Sequence, residues 1–168
     1  MNINIPEEVR RGCDELLLSI QKKLKGQLRA LVLYGSSARG EIKEGSDIDL
    51  YIIADGLPDD RVERSLYLAR LVAECGFERK ISLRGKRPEE LNDILPLYLD
   101  IAEDGLILYD PDMLARLFFQ KVKKAREEKG LVRYRTPDGY YGWAPLRPLK
   151  PGERIELHLK DEAHELRR

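Results

Sequence analysis

The residues of this chain best suited to chemistry fall in one stretch, Leu33 to Asp55, reading LYGSSARGEIKEGSDIDLYIIAD. Asp47 and Asp49 open an aliphatic run that reads as a β-strand, where acidic residues are disfavoured. Residues i and i+2 of a strand project to the same side, so the two carboxylates stand together while Ile48 and Leu50 face the other way. Two adjacent carboxylates repel; a divalent cation relieves the repulsion, and hard oxygen ligands suit Mg²⁺ or Mn²⁺. Upstream, Gly35 lets the backbone approach a ligand closely and Ser36 offers a hydroxyl. The amides around Ser36, Ser37 and Ala38 would open a short helix, an arrangement that cradles phosphate. A phosphate cradle facing an acid pair suits transfer of a nucleotidyl or phosphoryl group. Arg39 and Lys43 are within reach of a triphosphate, although charges in glycine-rich loops are more often merely solvated.

Several elements must position these residues. Leu28 to Tyr34 is a short aliphatic run bounded by glycines, the mark of a buried strand, and Asp47 to Ala54 is a second. Ser37 to Glu41 could wind a turn or two of helix between them. An amphipathic helix is expected from Pro6 through Val9, Cys13, Leu16, Leu17, Ile20 and Leu24 to Gly26, and another from Pro58 through Cys75 to Gly76. Phe77 to Arg84 reads as a third strand. A helix follows from Pro88 through Ala102, which Pro96 should kink or split. Leu106 to Asp110 is brief and extended, and a last helix runs from Pro111 to Gly130. Beyond it the texture changes to proline, glycine and aromatics: a hairpin about Pro137, Asp138 and Gly139, then alternating Ile155, Leu157 and Leu159 as a half-exposed strand. The expected division is residues 1–130 and a β-rich C-terminal extension, 131–168.

A chain of 168 residues suits one core with a small appendage, and no apolar run nears the roughly 20 residues of a membrane span. The opening MNINIPEEVRR lacks the pattern of a secretory signal, so the cytoplasm is the expected compartment and no membrane partner is expected. Lys plus Arg and Asp plus Glu both number 30, so no overall field gathers nucleic acid. Lys121, Lys123, Lys124, Arg126 and Lys129 have Glu127 and Glu128 as neighbours and read as a solvated face rather than a nucleic-acid contact. Tyr134, Tyr140, Tyr141 and Trp143 more readily seal the hairpin, or join two copies of the chain as a homo-oligomer, than stack on bases. Cys13 and Cys75 read as small buried hydrophobes, and His158 and His164 as solvated residues outside any zinc pattern.

Gly35-Ser36, ten residues, then Asp47-Ile48-Asp49 resembles the GS-x10-DxD signature of the DNA polymerase β-type nucleotidyltransferase superfamily, with Leu33-Tyr34 and Leu50 as fitting flanks. The SxARGE and SDIDL steps, and the ending PEELNDILPLYLDIAEDGLILYD, look like those of the minimal nucleotidyltransferases. These are small prokaryotic proteins often encoded beside a helical HEPN-domain toxin and acting as its antitoxin. The resemblance spans Leu28 to about Asp110. It implies an α/β fold, a small mixed β-sheet flanked by helices. It also implies metal binding by Asp47 and Asp49, and Gly35 and Ser36 on the β- and γ-phosphates of a nucleoside triphosphate, ATP by expectation, with Ser37 and Arg39 beside them. Active members carry a third carboxylate on the next core strand, as metal ligand and base. Here that strand offers Glu78 near its start, and Ser82 at the more central place. The implied activity is transfer of a nucleoside monophosphate to a hydroxyl on a HEPN-type toxin, a small molecule or an RNA end. The alternative is a non-catalytic module that neutralises a partner by contact.

Overall fold

The computed structural model describes residues 5–43, 45–77, 79–157 and 159. The two aliphatic runs become the central strands, since runs of this kind must be covered on both faces. β1 (Leu28–Tyr34) and β2 (Ile48–Ala54) pair antiparallel, with Leu33 opposite Leu50 and Tyr34 opposite Asp49. β3 (Ile81–Lys86) joins β2 in parallel and β4 (Leu106–Tyr109) joins β1 antiparallel, giving the order β3-β2-β1-β4. The sheet is therefore mixed, and helices flank it as the resemblance implied.

A parallel pair needs a crossover, and α3 (Arg61–Ala73) supplies it. With α1 (Glu7–Leu24) it covers one face, where Leu16, Ile20 and Leu68 pack on Leu31, Leu33, Ile48 and Leu50. α4 (Pro96–Asp104) and α5 (Leu114–Glu128) cover the other, where Tyr98, Phe118 and Phe119 meet Val32, Tyr51 and Ile53. Tyr51 and Tyr98 share a hydroxyl hydrogen bond of 2.8 Å inside that layer. Side-chain caps fix two helix starts. Asp60 accepts from the amides of Val62 and Glu63, both at 2.9 Å, and Asp110 from those of Ala115 and Arg116.

Three regions turn on tertiary pairing or on proline. The third strand begins at Ile81 rather than Phe77, because its span is set by pairing with β2. As expected, Pro96 splits the helix: a single 3₁₀ turn occupies Pro88–Glu90, and α4 starts at the proline, where the missing N–H is harmless. The expected strand at Ile155–Leu159 is not formed among the described residues; Leu157 and Leu159 instead pack irregularly against the α4–α5 layer. The hairpin does form, as β5 (Leu131–Arg135) and β6 (Tyr141–Pro145). It docks on the chain's own sheet domain, Trp143 Nε1 donating to Asp100 at 3.0 Å and the Tyr141 hydroxyl to Glu41 at 2.9 Å. Cys13 is buried and Cys75 half-buried, and both are free thiols. His158 and His164 lie outside the described residues. Among the described residues no helix is long and apolar enough to cross a membrane.

Candidate active site

Strand register builds the site. Tyr34 on β1, Asp49 on β2 and Ser82 on β3 stand side by side across three strands. Asp49 is half-buried, and burial raises its pKa above the ordinary carboxylate value. A hydrogen bond from Ser82 and the charges of Arg84 and Arg39 oppose that rise, while the nearby charge of Asp47 adds to it. The Tyr34 phenol is pushed up to about 12 by burial, with Asp49 adding to the shift and Arg84 opposing it. Asp47 is the residue just before β2, where Lys80 Nζ reaches its carboxylate at 2.8 Å. That exposed lysine is a weakly held partner that a stronger cation can displace.

The turn after β1 presses against the acids. α2 (Gly35–Ala38) starts directly at the strand end, and Gly35 has φ of 72°, a conformation that glycine adopts without strain. A Cβ on Gly35 would stand 2.7 Å from Asp49 Oδ2, so only a glycine lets the turn lie against that carboxylate. Ser36 is half-exposed beside it. Ser37 can offer a phosphate its amide but not its hydroxyl. Successive helical residues turn by about 100°, which carries Ser37 into the core, where it is fully buried and its hydroxyl has no hydrogen-bond partner among the described residues. Arg39 is already engaged: Nε donates to Glu41 at 2.8 Å, Nη1 to Asp104 at 3.4 Å, and its guanidinium lies 4.6 Å from the Tyr141 ring centre. Lys43 is exposed, with its amide donating to the Ser46 hydroxyl.

The donor set decides what cation the site suits. Among the described residues no group of three or more His, Cys, Asp or Glu is placed to hold a metal ion. Asp47 and Asp49, close enough for the charge of one to act on the other, offer hard oxygens of the kind that fit one divalent cation whose remaining positions phosphate oxygens and water would fill. A close cation pair needs further bridging and terminal carboxylates, and among the described residues none joins them. The β3 residue opposite Asp49 is Ser82, and β3 itself carries no acid. Glu78, expected as third ligand, lies outside the described residues. The sequence reading gave Tyr34 only as a flank of the motif and passed over Lys80 and Arg84 on the next strand. The signal for Lys80 and Arg84 was the alternation Lys80, Ser82, Arg84, Lys86, which becomes legible once the phase of β3 is known.

Residues 13–135 match the family model described as nucleotidyltransferase domain. The Methanocaldococcus jannaschii protein MJ1305, whose name assigns it provisionally to the protein adenylyltransferases, is 32% identical over 114 residues, 66% of this chain and 78% of the relative. Spectinomycin adenyltransferase AAD(9) from Enterococcus faecialis, solved with ATP and spectinomycin, has a TM-score of 0.50 at 13% identity, over 71% of this chain and 66% of that one. A chain from tri-AMPylated Shewanella oneidensis HEPN toxin in complex with MNT antitoxin has a TM-score of 0.46 at 14% identity, over 72% and 92%. The AAD(9) likeness is one of fold.

Proposed function

Since the chain belongs to the nucleotidyltransferase family, we propose that it moves a nucleoside monophosphate from a nucleoside triphosphate, ATP in the first instance, to a hydroxyl acceptor. One observation carries this reading: the Gly35 turn lies directly against Asp49, in the same row as Ser82 and within the field of Asp47. A phosphate seated on that turn would rest beside both carboxylates. Gly35 and Ser36 would hold the β- and γ-phosphates, Arg39 would add positive charge at their flank, and Asp47 and Asp49 would hold Mg²⁺ or Mn²⁺. When bound, that cation neutralises triphosphate charge and acidifies the attacking hydroxyl. The acceptor oxygen bonds to the α-phosphorus, the bond from that phosphorus to the bridging oxygen breaks, pyrophosphate leaves, and the hydroxyl proton passes to a base, assigned to Glu78. The name of MJ1305 supports a protein acceptor. The specific acceptor proposed from the sequence resemblance is a tyrosine on a HEPN-type partner.

The test is transfer of label from α-labelled ATP, with Mg²⁺ and the product of the adjacent gene as acceptor. Asp47→Asn and Asp49→Asn are each expected to lower transfer at least 100-fold. Absence of any aspartate-dependent transfer to any acceptor overturns the reading. Ser82 opposite Asp49, with no acid on β3, favours a second one: a module that binds nucleotide and a partner without transferring anything. Nucleotide binding that depends on Asp49, without transfer, selects it.

A further inference from the structure

β3 is the last strand of its sheet, paired on one side only. The Ile48 amide donates to the Lys80 carbonyl at 2.9 Å, which fixes the alternation. Lys80, Ser82, Arg84 and Lys86 turn their peptide groups toward β2, while Ile81, Leu83 and Gly85 turn theirs outward. No described residue pairs with that outward row. Along it runs a cleft of about 750 Å³ between β3 and the flank of α3. Leu68 forms part of its wall and is buried, whereas Ser65 and Ala69 are exposed and small, leaving room for a backbone to approach. The cleft is also cationic. Its acids Asp59 and Glu90 are tied to Arg87 and Arg64, while Arg61, Arg84 and Lys86 form no ion pair with another described residue.

We infer that this cleft docks the acceptor: an extended, acidic polypeptide segment adds itself as a strand to the free edge of β3 and delivers a hydroxyl side chain to Asp49. The inference rests on the transfer reading and names its substrate class. An open strand edge beside a helix supplies main-chain hydrogen bonds for affinity, and alternate side chains supply specificity. Ser82, opposite Asp49, sits near one end of β3, so the acceptor residue docks at that end and the rest of the segment runs along Leu83 to Lys86. An added strand lies two strand spacings, about 9.6 Å, from β2. Tyrosine carries its hydroxyl farther from the backbone than serine or threonine, which suits it to that gap better than either.

Random dodecapeptides displayed on phage, panned on the full chain without nucleotide, provide the test. The expected winners alternate apolar with Asp or Glu residues. N-methylation of alternate backbone amides in a synthetic winner should weaken its binding at least tenfold in one phase and little in the other. This readout leaves the protein unaltered. Arg84→Glu with Lys86→Glu should weaken binding at least tenfold. Failure to enrich any peptide, enrichment without acidic alternation, indifference to both N-methylation phases, or displacement of the peptide by oligouridylate overturns the inference. Any of these results beside intact aspartate-dependent transfer removes the docking mode alone. Phase-sensitive peptide binding in a chain that transfers no label removes the transfer reading and leaves the cleft as a partner site.

Discussion

Asp49 sits where an ionised carboxylate is least stable in the ligand-free protein, half-buried beside Tyr34 and within the field of Asp47. Its folded pKa is raised above its unfolded value, so its favourable contribution is complete at pH below the unfolded value, near 4, and is lost as pH rises through the folded one. At neutral pH the charge therefore weighs against folding. Asp49→Asn should raise the melting temperature of the ligand-free protein at pH 7 by on the order of 1–3 °C, with the difference shrinking toward pH 4. Mn²⁺ with a non-hydrolysable ATP analogue should then stabilise the wild type and leave the variant unmoved. A variant that melts lower at pH 7 would show that burial does not dominate at this carboxylate. The approach of the Gly35 turn to Asp49 was legible because local periodicity and one spacing are enough to draw it. The inward turn of Ser37 and the capture of Arg39 were not. Asp104, which accepts from Arg39, is 65 positions away, and Tyr141, which binds Glu41, is 100 positions away from it.

At the scale of elements, the β5–β6 hairpin is a brace for the loop that follows α2. The Tyr141 ring has the guanidinium carbons of Arg133, Arg39 and Arg135 at 3.9, 4.6 and 5.3 Å from its centre, and its hydroxyl reaches Glu41. Arg133 in turn meets Asp104, which also accepts from Arg39. Tyr141→Phe removes only the hydrogen bond to a partly exposed carboxylate and should cost about 1 kcal/mol. Tyr141→Ala also removes the ring and its cation contacts and should cost about 2–3 kcal/mol, both read from urea denaturation. Equal losses for the two variants would mean the ring contributes nothing. The elements themselves were readable wherever a cap or a hydrophobic period was local. The start of β3 was not, because a strand with a polar face takes its phase from the strand it joins. The alternation at Ile155–Leu159 was real in sequence, but no neighbouring strand edge receives it among the described residues, and its leucines are used in packing instead.

For the whole molecule, the question is whether the layers on the two faces of the sheet unfold together. β1 and β2 contribute alternate residues to both: Leu31, Leu33, Ile48 and Leu50 to the α1–α3 side, Val32, Tyr51 and Ile53 to the α4–α5 side. Neither layer can lose its strands without stripping the other, which is the condition for a cooperative transition. Each side carries its own probe. Cys13 on α1 is 3% exposed, and burial, with the charge of Asp14 adding to it, pushes its thiol up to about 11, so it is inert toward alkylation at pH 8 until the chain unfolds. Trp143, the sole tryptophan, packs on the opposite side through the hairpin. In a Cys75→Ser background, Cys13 labelling and Trp143 fluorescence should follow urea with one midpoint and one slope. A Trp143 transition completed at lower urea than Cys13 exposure would mean that the hairpin detaches first. The brace on Arg39 would then be a separately melting element rather than part of the common fold.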